Sequence, residues 1–199
     1  FYINSAVNGS YRSEALKITK LSSSYILVDS DLDSPQDIAV NPLESWFVWT
    51  DAGNDQNPAR IERCNQDGFN RKVLFQDEND ISLPTGLTID YATRRIFWVD
   101  AKLHSISSID YSGNDRRLVF QSFHFLPFPL DIDILDSNLY WSDSNTSSIY
   151  TINKFGLLDE HSDSTVHRLI HQQSPVSSLT IVDSSKQPLP KQETFNISV

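Results

Sequence analysis

Short runs in which apolar and polar residues stand against one another fill most of the chain. In SISSID (Ser105–Asp110) Ile106 and Ile109 are set among polar neighbours, as are Leu118 and Phe120 in RRLVF (Arg116–Phe120). Side chains that divide between an apolar and a polar side over so few residues predict strands packed face to face. The runs end at Gly, Asn and Asp clusters such as QDGFN (Gln66–Asn70) and YSGND (Tyr111–Asp115), which are hairpin signals. No stretch holds a helical period, so the pattern predicts an all-β chain.

The runs recur in a fixed order. GLTID, RIFWVD, SISSID and RRLVF follow one another between Gly86 and Phe120. DIAV, WFVWTD, RIERC and RKVLF precede them, and LDIDI, NLYWSD, SIYTI and VHRLI follow. Asp51, Asp100 and Asp143 close the second run of each unit, spaced 49 and 43 residues apart. A period of this length built from strands predicts propeller blades. A four-stranded sheet cannot bury both faces alone, so blades stack around an axis. The expected blades lie near 1–34, 35–83, 84–128 and 129–174, with VSSLTIV as a lone first strand in 175–183 and a polar, Pro-containing tail at 184–199. FYIN stands at a second-strand position, so the reading expects an incomplete propeller, a piece of a longer chain.

Charge narrows the partners. The 199 residues carry a formal net charge of −10, and no Lys/Arg stripe interrupts it, which excludes nucleic acid and an anionic membrane surface as expected partners. No apolar run reaches the ~18 residues of a membrane span, and FHFLPFPLDIDIL is broken by prolines and aspartates. Cys64 is the single cysteine, so no internal disulfide framework is expected. Three Asn-x-Ser/Thr sequons, at Asn8, Asn145 and Asn196, are candidate N-glycosylation sites and point to a secreted context.

FVWTD, IFWVD and LYWSD resemble the YWTD signature of low-density lipoprotein receptor class B repeats. RIERCNQDGFNRKVL and LPTGLTIDYATRRIFWVDAKLHSISSID are similar to that family's middle blades over long stretches. The resemblance implies a six-bladed YWTD-type β-propeller, of which this chain supplies about four blades plus one strand. It implies cysteine-rich and EGF-like modules elsewhere in a full-length single-pass receptor. It also implies a place on the outer face of the cell or in the endosome. The Gly-His pair of WD-repeat propellers is absent upstream of each Trp-Asp.

The recurring signature residues are Trp49, Thr50 and Asp51, Trp98, Val99 and Asp100, and Trp141, Ser142 and Asp143. An active site sits once on a propeller axis and breaks the repeat, so aspartates copied into three blades read as fasteners accepting backbone N–H bonds. The tryptophans read as packing. No catalytic residue, metal site or cofactor is expected, and no phosphate-cradling glycine loop or nucleophile elbow occurs. His124, His161, His167 and His171 lack the spacing of a zinc site. The acidic loops DSDLDS and QDENDIS read as solvated turns.

His104, in KLHSISS, is the candidate for chemistry. The resemblance implies acid-triggered ligand release from a histidine at this motif position, acting with a second one. Phe128, in FLPFPLD, stands where that partner is expected. The sequence reading is therefore a non-catalytic extracellular propeller that binds protein ligands, lipoproteins or other secreted proteins, with acid-triggered release. A Wnt co-receptor or matrix-type module is the alternative on the same fold, and a calcium-dependent propeller hydrolase the alternative from another class.

Overall fold

The computed structural model describes residues 2–3, 16–20, 23–156 and 166–183. Every regular element among them is a strand. Strands β1 (Tyr2–Ile3), β2 (Leu16–Lys20) and β3 (Ser23–Val28) form a three-stranded antiparallel sheet. Three four-stranded antiparallel sheets follow, each with its strands in chain order. The first holds β4 (Pro35–Asn41), β5 (Trp46–Asp51), β6 (Arg60–Asn65) and β7 (Lys72–Phe75). The second holds β8 (Pro84–Asp90), β9 (Arg95–Asp100), β10 (Ser105–Asp110) and β11 (Arg117–Gln121). The third holds β12 (Pro129–Leu135), β13 (Asn138–Asp143), β14 (Ser148–Asn153) and β15 (His167–His171). With no helices and a repeated four-strand meander, this is the architecture of an incomplete YWTD-type β-propeller.

The register repeats from blade to blade. Ile38, Leu87 and Ile132 on the first strands stand opposite Trp49, Trp98 and Trp141 on the second. Successive side chains on a strand point to opposite faces, so each tryptophan looks to the preceding blade and the residue before it to the next. Val48, Ile61 and Phe75 of the first four-stranded blade accordingly share one core with Leu87, Ile96 and Trp98 of the second. Phe97, Val99, Ile106 and Phe120 of the second repeat that contact against Ile132, Trp141 and Tyr150 of the third. Phe75 meets Trp98 at 5.5 Å between ring centroids, and Phe120 meets Trp141 at 6.2 Å. Burying a large apolar side chain contributes roughly 1.5–3 kcal/mol, so these interfaces, not the individual sheets, hold the blades.

Two features depart from the sequence pattern. VSSLTIV was expected as a strand in 175–183, but residues 176–183 join no ladder. The segment runs beside β12 and is tied to it through side chains, Leu179 N–H donating to the Asp131 carboxylate and Ile181 N–H to that of Asp133, both at 2.9 Å. Alternation supplies the propensity, but a ladder needs a neighbouring backbone, and here carboxylates take its place. The second feature is Gly86, where β8 and β12 come so close that a β-carbon would sit 2.6 Å from Asp131 Cα and 2.9 Å from Ile132 N. Only glycine permits that approach.

Candidate ligand-binding face

Each second strand ends in a buried aspartate that gathers loop N–H groups. Asp51 accepts from Asp33, Ser34 and Gly53 at 2.8–3.0 Å. Asp100 accepts from Ser82, Leu83, Lys102 and Leu103 at 2.7–3.2 Å. Asp143 accepts from Phe128 and Thr146 N–H at 2.7 and 2.8 Å, and from the Thr146 hydroxyl. All three carboxylates are sealed from solvent and filled by these donors, so none faces a substrate. Trp49, Trp98 and Trp141 are fully buried, as are Thr50, Val99 and Ser142 beside them. The Trp141 indole donates to Phe125 O at 3.0 Å.

At Asp51 the loop network extends into a charge cluster that strand periodicity conceals. Arg60 and Glu62, charged residues of RIERC, are both buried. The Arg60 guanidinium bonds Asp33 and Glu62 at 2.8 Å and Asp51 at 3.1 Å, and Arg71 bonds Glu62 at 2.7 Å. Asp33, in DSDLDS, is thus an ion-pair partner and not a solvated turn residue. An open groove of about 560 Å³ beside this cluster is lined by the same charges. Of the groove's lining, Asp33, Arg60, Glu62 and Arg71 are spent on ion pairs with one another, and Asp31 and Lys72 complete its charged residues.

His104 lies on the face formed by these loops, in the turn before β10 and not in the strand itself. Its backbone is left-handed (φ 52°), as is that of Ser147 (φ 50°), which stands at the same place in the next blade. The turn is therefore shared, and the histidine is what distinguishes this blade. His104 Nδ1 is 2.9 Å from Leu126 O. A carbonyl only accepts, so Nδ1 carries a proton, and Nε2 is the ring nitrogen left free of that contact. Phe123 packs edge-on against the ring at 4.8 Å. Phe123 is 72% exposed and Phe128 40%, and His124 is exposed beside them. Phe128 stands in the same loop, two residues beyond the carbonyl that holds His104, and its own N–H is fixed by Asp143. The loop 122–128 thus presents an aromatic surface with His124, and beside it stand His104 and the exposed Lys102.

Asn145 is exposed in the turn between β13 and β14, on this same side. Asn8, Asn196, His161 and the tail 184–199 lie outside the described residues. Cys64 is buried in β6 with its thiol directed at Phe69 O, and burial raises its pKa. Among the described residues no group of three or more His, Cys, Asp or Glu is arranged to hold a metal ion.

A strand-built blade repeat closed by buried aspartates defines the YWTD class of β-propeller. Residues 49–91 and 94–125 match the low-density lipoprotein receptor repeat class B, so the chain carries class B repeats. It is similar to the vitellogenin receptor Yl of Drosophila melanogaster, 32% identical over 158 residues, which is 79% of this chain and 7% of that protein. The chain therefore spans a small part of that relative's length. Among solved structures it is similar to nidogen in its complex with laminin, with a TM-score of 0.72 and 26% identity over 84% of this chain and 60% of that one. A gluconolactonase from Xanthomonas campestris shares the fold alone, with a TM-score of 0.64 and 16% identity over 87% of this chain and 60% of that one.

Proposed function

We propose that the chain is a non-catalytic, extracellular ligand-binding module of a lipoprotein-receptor-type endocytic receptor, and that His104 couples ligand release to acidification. The class B repeats in a chain related to a vitellogenin receptor carry the receptor reading. The repeated aspartates are consumed by backbone donors, which leaves the loop face around His104, Phe123 and Phe128 as the part that differs between blades. The partners are secreted proteins, lipoproteins among them, together with cysteine-rich and EGF-like modules of the same receptor. The module itself needs no cofactor, nucleic acid or membrane contact. Protonating Nε2 turns an acceptor into a charged donor on an aromatic surface, which changes what the face can hold.

The test uses the receptor that contains this chain, displayed on cells, with purified vitellogenin as the probe. Binding at pH 7.4 and release within minutes at pH 5.5 are expected, with release slowed several-fold in His104→Ala. Release at the unaltered rate in the variant refutes the histidine coupling, and no binding at all refutes vitellogenin as the ligand. The likeness to nidogen favours a second reading, a matrix-type module, and laminin binding in the same assay would bring it forward. Lactone hydrolysis that needs calcium and stops with chelator would overturn the non-catalytic reading.

A further inference from the structure

The first strands β4, β8 and β12 lie side by side, and residues 176–183 continue the row beside β12. Together the four segments carry Asp37, Asp90, Asp131, Asp133 and Asp183, and no lysine, arginine or histidine. Asp90, at the end of β8, is paired with Lys154 at 2.7 Å. Among the described residues Asp37 has no such cation. Its carboxylate accepts Leu87 N–H and Ile38 N–H, both at 2.8 Å, and the charge that reaches it is that of Asp131.

The register explains the opposition. Asp37 and Asp131 each precede the residue opposite a signature tryptophan, and Gly86 holds that place on the strand between them. With no side chain there, β8 sets none between the two acidic positions at that register. From β5, Thr50 offers a hydroxyl that accepts Asp37 N–H, and Asp51 is committed to its loop and to Arg60. From β12 come Asp131 and Asp133, and from the last segment Asp183.

We infer that Asp37, opposed by Asp131 across Gly86, is a proton-uptake site that tightens the packing of the first strands as the surroundings acidify. Burial pushes its carboxyl up to about 7, with the Leu87 N–H pulling down and the Asp131 charge pushing further up. The folded value lies above the ordinary 3.8, so the stabilisation is complete below about 3.8 and is lost as pH rises through about 7. A proton on Oδ1 leaves Oδ2 accepting the Leu87 N–H, so uptake relieves repulsion without cutting the link between blades.

The experiment compares thermal melting of the 199-residue chain and Asp37→Asn at pH 7.5 and 5.5 and constant ionic strength. From the linkage relation the unaltered chain gains roughly 4–8 °C on acidification. Asp37→Asn melts higher at pH 7.5 and gains less by about that amount. Asp131→Asn moves the gain to lower pH. An equal gain in Asp37→Asn and the unaltered chain overturns the inference. Should that variant fail to fold, carboxyl ¹³C titration of aspartate-labelled, unaltered protein reads the site directly, where a midpoint near 7 supports it and one near 4 refutes it. A His104→Ala background leaves the expected difference intact, so this inference stands or falls apart from the histidine coupling.

Discussion

At the scale of single residues, the strand-end aspartates do the most for their size. Asp100 holds four N–H groups from two loops, 82–83 and 102–103, and its removal leaves all four without the acceptor that is sealed in among them. An unsatisfied buried polar group costs about 1–3 kcal/mol, less where water can reach it. Asp100→Ala is therefore expected to lower stability by roughly 2–4 kcal/mol, and Asp100→Asn by less, since one carbonyl oxygen remains. Urea unfolding midpoints would check this, and equal costs for the two variants would contradict it. A fastening role could be argued from sequence because the residue is copied with its tryptophan. Arg60 and Glu62 carried no such mark. A strand pattern assigns polar residues to solvent, and only three-dimensional pairing with Asp33, Asp51 and Arg71 makes their burial tolerable.

At the scale of elements, blades are locked by contacts that alternate in kind. The apolar contacts, Phe75 on Trp98 and Phe120 on Trp141, recur at one register position, and their repetition is visible in RKVLF and RRLVF. Polar locks join the blades as well, some at a repeated position, as where Asp37 and Asp131 accept Leu87 and Leu179 N–H, and some at a single place. Lys154 Nζ reaches across to Asp90 at 2.7 Å and also donates to Asp136 O at 2.9 Å, with both side chains buried. Burial works to raise the Asp90 carboxyl, but Lys154, Thr93 and Ala92 outweigh it and hold it below its ordinary range. This contribution is therefore present above the ordinary carboxylate pKa and fades as pH falls through the lower folded value, opposite in sense to Asp37. Lys154→Met is expected to cost about 3–5 kcal/mol by stranding a buried carboxylate. Adding Asp90→Asn restores much of it, and denaturant midpoints of the double-variant cycle measure how much. Purely additive losses would show that the pair is not coupled. Nothing in the sequence joins positions 64 residues apart. The pairing follows from the stacking of blades, which composition and period cannot specify to a side chain.

At the scale of the whole molecule, the third four-stranded blade presents the side that its two predecessors bury. Tyr140, Ile149 and Ile170 occupy the positions of Phe97, Ile106 and Phe120. Those three residues pack on the following blade, whereas Ile170 is 45% exposed and its neighbour Leu169 52%. The tryptophan that Phe120 meets on the next blade has no counterpart for Ile170 among the described residues. An apolar face flanked by an outer strand with unpaired edge groups is an association site. The 199-residue chain alone is accordingly expected to self-associate as concentration rises, even though its net charge of −10 opposes contact. Replacing Leu169 by Lys and Ile170 by Thr keeps strand-compatible residues and removes the attraction. Static light scattering should then report a monomer at concentrations where the unaltered chain is larger, with a melting temperature lowered by no more than a few degrees. Persistent association in the double variant would place the contact elsewhere, with β7 and its 48% exposed Val73 the next edge to alter. Association through the blade face would mean that the packing which joins Phe75 to Trp98 and Phe120 to Trp141 within the chain also acts between chains.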